Sequence, residues 1–154
     1  MLRLTVFEFI VRTIPESLIY IFAAYLFSST KLDVKKYIIS SMLLAISTFL
    51  IRMLPINYGV HTILFIMIQT IILLSINKID VIKAVKSTII SIICLFALET
   101  LNVLTLSFIF KDQLNEIMSN PNIKVLYGLP SLIGFIMIIS CYYYINKKGK
   151  IKNV

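Results

Sequence analysis

The stretch Arg52-Met53-Leu54-Pro55-Ile56-Asn57-Tyr58-Gly59-Val60-His61-Thr62 lies between two long apolar runs and decides how the chain folds. In lipid, an apolar run satisfies its own backbone hydrogen bonds only as a helix, so the chain has to turn where helix chemistry fails. Pro55 lacks a backbone N–H, and Gly59 tolerates left-handed backbone angles. We therefore expect one membrane-spanning helix to end before this stretch and the next helix to begin within it.

The composition is typical of a membrane protein. Of the 154 residues, 59% are hydrophobic and 14% are charged, whereas a soluble domain has about 45–50% apolar and about 25% charged residues. The apolar residues form runs of about 20 residues, the length of helix that crosses a lipid bilayer. We predict an all-α integral membrane protein in which residues 1–154 form a single transmembrane domain. Its five helices are predicted at about 5–28, 37–54, 59–76, 87–110 and 126–146, with a loop at Asn77–Lys86.

The basic residues are distributed unevenly over the predicted loops. Ten of the 15 lie in the Lys31–Lys36 loop, in the Asn77–Lys86 loop and in the tail after Asn146, and the other five lie on the opposite side. Short loops rich in lysine resist translocation, so we expect the N-terminus outside the cell and the C-terminus inside, in the plasma membrane. The net charge of +8 then indicates topology and contact with anionic lipid rather than a nucleic-acid partner.

Two short motifs occur twice. Arg-x-x-Pro stands at 12–15 and 52–55, and Lys-x-Asp-Val stands at 31–34 and 78–81. Each pair is displaced by two spans, which is the pattern of a parallel repeat of a helical hairpin, with spans 1–2 matching spans 3–4. Convergence is the alternative, because proline marks turns and lysine marks inner loops in many multi-span proteins.

Ionisable side chains within the apolar runs are candidate sites, because a charge in hydrocarbon costs several kcal/mol unless it is paired or hydrated. Glu8, Arg12 and Glu16 recur at every fourth position, so on one helix Arg12 can pair with either carboxylate. This stripe either lines an outward-facing cavity or forms a self-neutralised cluster at the interface. Pro15 either kinks this span or marks its true start.

Glu99 stands near the middle of the fourth predicted span, with Asn102 three residues later. A lone carboxyl group at that depth should be either protonated or bound to a base, and Arg52 or His61 is the expected base if Glu99 lies nearer the outer side. Glu99 is either a ligand- or proton-binding carboxylate inside the bundle or a hydrogen-bonding group that fixes helix packing.

No catalytic or metal-binding pattern occurs. His61 is the only histidine and shares a helix stripe with Gln69, while Cys94 and Cys141 lack metal-ligand spacing. Nucleophile elbows, phosphate loops and dinucleotide fingerprints are absent from the sequence. We predict no enzyme, no metal and no cofactor. An intramembrane enzyme, as a third alternative, would require two or more polar residues that converge at one depth.

Three stretches resemble a known family: Arg-Thr-Ile-Pro-Glu-Ser at 12–17, Arg-Met-Leu-Pro-Ile-Asn-Tyr-Gly-Val-His-Thr at 52–62, and Lys-Ile-Asp-Val-Ile-Lys at 78–83. They resemble the membrane sensor region of accessory-gene-regulator-like, peptide-sensing histidine kinases of Gram-positive (clostridial) bacteria. In those kinases the last span leads into a dimerising helix and an ATP-binding domain. The sequence ends at Val154, so the resemblance implies a sensing bundle that lacks the kinase domain.

These observations predict a signal-sensing or regulatory membrane module without a catalytic domain. It would contact the lipid bilayer, bind a small molecule or peptide, and act through a protein partner in the membrane or cytoplasm. The candidate ligand-binding residues are Arg12, Glu16, Arg52, Asn57, Tyr58, His61, Glu99 and Asn102. The alternative is a membrane substrate-binding component of a small-molecule, vitamin-type transporter, for which a buried midplane pocket around Glu99 that retains radiolabelled substrate on purification would be diagnostic.

Overall fold

The computed structural model describes residues 6–54, 58–110 and 121–152, and the prediction of an all-α protein is confirmed over these ranges. The first helix, α1, joins an α-helical turn, a π-helical segment and a longer α-helical part without a break. Its parts are Val6–Glu8, Phe9–Thr13 and Ile14–Phe27. The other helices are α2 (Val34–Met53), α3 (Tyr58–Ser75), α4 (Val81–Ile109) and α5 (Pro121–Lys152).

Four helical segments in the described part of the chain are long and apolar enough to cross a membrane. They are Phe9–Phe27, Val34–Met53, Val81–Ile109 and Val125–Ile145, and a shorter apolar segment covers Gly59–Ser75. Large apolar side chains such as Phe108 and Met137 are exposed on the outside of the bundle, as expected of residues that face lipid. These features identify an integral membrane protein.

Helix α1 is the central element of the bundle. It contacts α2, α4 and α5, while α3 lies between α2 and α4, and α5 packs on α4 and α1. Ala23 and Ala24 of α1 are fully buried, and such small side chains let neighbouring helix backbones approach closely. Because α1 contacts three other helices, a substitution on α1 alters the packing of most of the bundle.

The α1–α2 and α3–α4 turns lie at the same end of the bundle, which we call the lysine end. Each turn places an aspartate immediately before the next helix, and that aspartate pairs with a lysine three residues later. The distances are 3.7 Å for Asp33–Lys36 and 3.3 Å for Asp80–Lys83. The two Lys-x-Asp-Val motifs therefore have the same structural role.

The predicted loop at Asn77–Lys86 is wrong in its second half, because α4 begins at Val81. Asp80 is the N-cap residue of α4, and its carbonyl accepts a hydrogen bond from the backbone N–H of Ala84 at 2.8 Å. An aspartate at this position favours a helix start. The lysines that follow are compatible with helix, so their charge gave no reliable sign of a loop.

The two Arg-x-x-Pro motifs differ in structure. Residues 12–15 lie within α1, across the junction of its π-helical and α-helical parts. Arg52 instead lies in the last turn of α2, and Pro55 falls outside the described residues. The hairpin repeat is thus matched at the lysine end, whereas the arginine motifs occupy different positions in their helices.

Polar contacts also tie the helices together at the lysine end. The Asn77 side-chain oxygen accepts hydrogen bonds from the Tyr25 hydroxyl at 2.7 Å and from the Ser40 hydroxyl at 3.0 Å. These bonds connect α1, α2 and the α3–α4 turn. All three residues are buried, so the bonds form inside the bundle, where their loss would leave polar groups without water.

Candidate functional site

Five ionisable side chains meet at the end of the bundle opposite the lysine end, which we call the charged end. Arg12 donates a hydrogen bond to Glu99, and its Nε lies 3.7 Å from the Glu16 carboxylate. Arg52 lies 3.6 Å from Glu8 and 3.9 Å from Glu16. Helices α1, α2 and α4 contribute these residues. Three carboxylates and two guanidinium groups leave the cluster with one net negative charge.

Pro15 explains the π-helical segment that carries part of this cluster. In a regular α-helix the proline ring would clash with the carbonyl of Val11, and proline has no N–H to donate. The chain widens instead, so that the Ile14 N–H donates to the carbonyl of Phe9, five residues back. The wider turn changes the angular offset between the residues before and after Pro15. The first span is therefore continuous through Pro15, with a π-helical segment before it.

The widened turn is consistent with the observed pairing of the first-span charges. A regular stripe would place Glu8, Arg12 and Glu16 on one face. In the structure Arg12 contacts Glu16 and reaches across to Glu99 on α4, while Glu8 is paired with Arg52 on α2. The prediction that Arg52 or His61 is the ion-pair partner of Glu99 missed Arg12, because the pairing depends on α1 crossing α4.

A glycine on α5 accommodates the Arg12 side chain. A Cβ atom added to Gly128 would lie 2.9 Å from an Nη atom of Arg12, closer than non-bonded atoms can approach. Gly134, one and a half turns farther along α5, would place its Cβ at 3.4 Å from Leu98, an ordinary contact. Gly128 therefore lets the Arg12 guanidinium lie against the backbone of α5.

A cavity of about 190 Å³ lies beside the ion-pair cluster. Side chains of α1, α2, α3 and α4 form its wall. They are Glu16, Tyr20, Thr48, Ile51, Arg52, His61, Thr62, Phe65, Ile92, Leu95, Phe96 and Glu99. The wall thus combines two carboxylates, one guanidinium group and one imidazole with three aromatic rings. A mixed wall of this kind suits a ligand with one charged and one apolar part.

Tyr20 anchors the aromatic part of this wall. Its ring centroid lies 5.0 Å from that of Phe65 on α3 and 5.7 Å from that of Phe135 on α5. Tyr20 and Phe135 are buried, and tilted aromatic contacts at these distances are favourable. The cavity is consequently supported by packed rings on three helices.

Glu16 is a buried wall residue with one carboxylate oxygen that lacks a hydrogen bond within the described residues. The residue is 8% exposed, and its Oε2 atom accepts no hydrogen bond from any residue that the structure describes. Its two guanidinium neighbours, at 3.7 and 3.9 Å, lie beyond hydrogen-bonding distance. Buried carboxylates are normally hydrogen-bonded, so this oxygen is a position at which a ligand donor would be stabilised.

Four of the predicted site residues line the cavity: Glu16, Arg52, His61 and Glu99. Arg12 joins two of them through its ion pairs. Tyr58 is the first residue of α3, and Asn57 lies outside the described residues.

Asn102 has a different environment from the other candidates. Its Nδ2 atom donates to the Tyr127 carbonyl on α5 at 2.7 Å. Pro130 lies inside α5 and has no N–H for the neighbouring Leu126 carbonyl. The Ser131 hydroxyl donates to the Gly128 carbonyl at 2.7 Å. Asn102 therefore connects α4 to the backbone of α5 one residue away from the carbonyl that Pro130 leaves without a donor.

Three wall residues that sequence reasoning missed share a simple signal. Tyr20, Thr48 and Phe65 each stand four positions from a predicted site residue on the same helix, namely Glu16, Arg52 and His61. Side chains at this spacing lie on one helix face. Extending each candidate by one turn would have found all three.

Comparisons with known proteins indicate no function for this chain. No protein family, curated protein or solved structure matches this chain. Within the described residues, no group of three or more His, Cys, Asp or Glu side chains is arranged to hold a metal ion. The chemistry that the site does offer is a pair of carboxylates, a guanidinium group and aromatic rings around a small cavity.

Proposed function

We propose that this chain is a signal-sensing module of the plasma membrane. In this proposal five helices span the membrane, the charged end faces outward, and a small molecule or a peptide group binds in the cavity. A protein partner then responds to the change in helix packing. The observation that carries the proposal is the cavity itself, because it brings side chains of four helices around one small space that contains both charges and aromatic rings.

The lysine distribution supports the proposed orientation. Both lysine-containing turns, 28–33 and 76–80, lie at the end opposite the cavity. Lysines in short loops favour the cytoplasmic side of a membrane. With that end inside, a ligand reaches the cavity from outside the cell.

Arg12 supplies the proposed link between ligand and helix packing. It contacts Glu16 on its own helix, Glu99 on α4 and the backbone of α5 at Gly128. A ligand that binds Glu16 or Glu99 competes with these contacts of Arg12. Such a ligand shifts the helices only in so far as it binds one packing arrangement more tightly than another.

Helix α5 is the proposed output element. Pro130 removes one backbone hydrogen bond near Gly128, which lowers the local resistance of the helix to bending. The helix continues to Lys152, beyond the apolar segment that ends at Ile145. A change in tilt at Pro130 therefore moves a helical extension on the lysine side, where a cytoplasmic partner can bind it.

Photocrosslinking in living cells tests the proposal. A photoreactive p-benzoylphenylalanine replaces Phe96 in the cavity wall or, as a matched control, Phe108 on the same helix. Both side chains are well exposed, at 69% and 75%, but only Phe96 belongs to the cavity wall. We expect the position-96 variant, but not the position-108 variant, to form crosslinks to a component of the peptide-sized fraction of the producing bacterium's culture medium. Equal labelling of both variants, or labelling of neither, would contradict ligand binding in the cavity.

A transporter component is the second candidate, and a buried amide favours it. Gln69 is fully buried on α3, and neither polar atom of its side chain has a partner among the described residues. It stands eight residues beyond His61, which corresponds to about 12 Å along the helix. A polar group below the cavity is what a substrate path requires. Uptake of the radiolabelled ligand into cells that express the chain would favour transport, whereas binding without uptake would favour sensing.

A further inference from the structure

The charges of the cavity wall do not balance. Glu16 and Glu99 contribute two carboxylates, and Arg52 contributes one guanidinium group. Arg12 hydrogen-bonds Glu99 from outside the wall, and Arg52 is shared between Glu8 and Glu16. Counted together with Arg12 and Glu8, the cluster has three carboxylates and two guanidinium groups, and with the His61 imidazole of the wall neutral it attracts one further positive charge.

Glu16 indicates where that positive charge would bind. The residue is more than nine-tenths buried and lines the cavity, and its Oε2 atom accepts no hydrogen bond from the described residues. The guanidinium groups at 3.7 and 3.9 Å attract this oxygen without donating to it. The Oε2 atom is itself covered by protein atoms, so a turn of the Glu16 carboxylate towards the cavity is needed before a ligand donor can complete the charge-assisted hydrogen bond that the protein does not form.

The remaining wall suits an apolar group beside the charge. Tyr20, Phe65 and Phe96 face the same cavity as Glu16, and aromatic faces attract cations as well as apolar groups. The cavity volume of about 190 Å³ compares with about 150 Å³ for a cavity that accommodates benzene. A single ring or short chain with one amine therefore fits this space.

We propose that the cavity binds a compact organic cation, a protonated primary amine attached to a small apolar group. An ammonium group offers three donors, so it can reach Glu16 and Glu99 together while the apolar part packs on the aromatic wall. This inference rests on the proposed function only in taking the cavity as the ligand site. It predicts that anionic ligands of the same size bind more weakly than the cation.

Three probes of nearly equal size test the charge preference. They are benzylamine, benzyl alcohol and benzoate, which are cationic, neutral and anionic at neutral pH. Isothermal titration calorimetry with the protein in phosphatidylcholine nanodiscs gives each affinity after subtraction of binding to empty nanodiscs. We expect benzylamine to bind about tenfold or more tighter than benzyl alcohol, as one charge-assisted hydrogen bond provides, and benzoate to bind weakest. Equal affinities, or a preference for benzoate, would overturn the inference.

Two variants with opposite expected effects guard against misfolding. Glu16→Gln should lower benzylamine affinity about tenfold, and Arg52→Gln should raise it, because Arg52 competes for Glu16. Asp80→Asn removes a carboxylate at the lysine end and should leave the affinity unchanged. A disrupted fold lowers the affinity for benzylamine and benzyl alcohol alike, so a rise in benzylamine affinity for Arg52→Gln supports the charge argument, and a fall confined to benzylamine opposes it.

The outcomes separate this inference from the proposed function. If benzylamine binds selectively but photocrosslinking at position 96 captures nothing from the medium, the amine site stands and sensing fails. If the medium labels position 96 while benzylamine binds no better than benzyl alcohol, sensing stands and the inference is overturned.

Discussion

At the lysine end, Asn77 accepts hydrogen bonds from Tyr25 and Ser40 at 2.7 and 3.0 Å, whereas at the charged end Glu16 lies 3.7 and 3.9 Å from two guanidinium groups. The first contact uses neutral groups at ideal distances and fixes three chain segments. The second uses charges that attract each other without hydrogen bonds beside a cavity. Hydrogen bonds across the lysine end therefore fix helix packing, whereas the charged end combines ion pairs with a cavity and a carboxylate oxygen that accepts no hydrogen bond from the described residues.

The largest expected effect is at Arg12. Arg12→Met should lower the free energy of unfolding by about 2–4 kcal/mol, because it removes the base that pairs with Glu99 in a partly buried setting and leaves Glu16 with Arg52 alone. Reversible unfolding in dodecyl sulfate, followed by near-ultraviolet circular dichroism of the tyrosines, measures this change. If Arg12→Met unfolds like the native chain, the ion-pair cluster does not hold α1 against α4.

Adding a methyl group to α5 at position 128 should displace the Arg12 side chain without removing its charge. Gly128→Ala should displace the flexible end of the Arg12 side chain, so it should be about 1 kcal/mol less favourable for stability than the same change at Gly134, and it should also alter benzylamine binding. Gly134→Ala is the matched control on the same helix. Because alanine is a better helix former than glycine by about 1 kcal/mol, the control should be neutral or stabilising. Similar losses in both variants would argue against a special role for Gly128.

A substitution at the lysine end should change the stability of the protein but not its affinity for benzylamine. Tyr25→Phe removes one hydrogen bond to Asn77 and should cost about 1 kcal/mol. Benzylamine affinity in the calorimetric titration should not change, because Tyr25 lies outside the cavity wall. A change in affinity would mean that the two ends are coupled, and the division of roles would then be wrong.

The smallest effect is expected for the exposed ion pair of the α1–α2 turn. Lys36→Met removes the 3.7 Å partner of Asp33 and should change the unfolding free energy by less than about 0.5 kcal/mol, as is usual for solvent-exposed pairs. The same dodecyl sulfate titration provides the measurement. A loss as large as that of Arg12→Met would remove the contrast between the two ends.

Much of the fold is predictable from sequence, because bilayer thickness and backbone hydrogen bonding fix where apolar helices run. The helix starts at Val34 and Val81 also carried a signal in the aspartates before them, although the lysines that follow obscured it. The sequence indicated where the π-helical segment lies but not its geometry. Pro15 showed that regular helix must change there, but several local solutions relieve the same clash.

The charged end was predictable as a set of residues but not as a set of contacts. Glu16, Arg52, His61 and Glu99 were candidates because charges and polar groups are rare in apolar runs. The Arg12–Glu99 pair joins residues 87 positions apart, and it follows only from the packing of α1 on α4. Gly128 carried no signal, since its role is to make room for a side chain of another helix.

Cysteine accessibility in intact cells tests most directly whether the cavity is an outward-facing ligand site. Thr62→Cys lies in the cavity wall and Lys35→Cys at the lysine end, in a chain whose free Cys94 and Cys141 are replaced by alanine. We expect a membrane-impermeant maleimide to label position 62 but not position 35, and benzylamine to slow the labelling. Labelling of position 35 from outside, with position 62 protected regardless of benzylamine, would contradict both the orientation and the site.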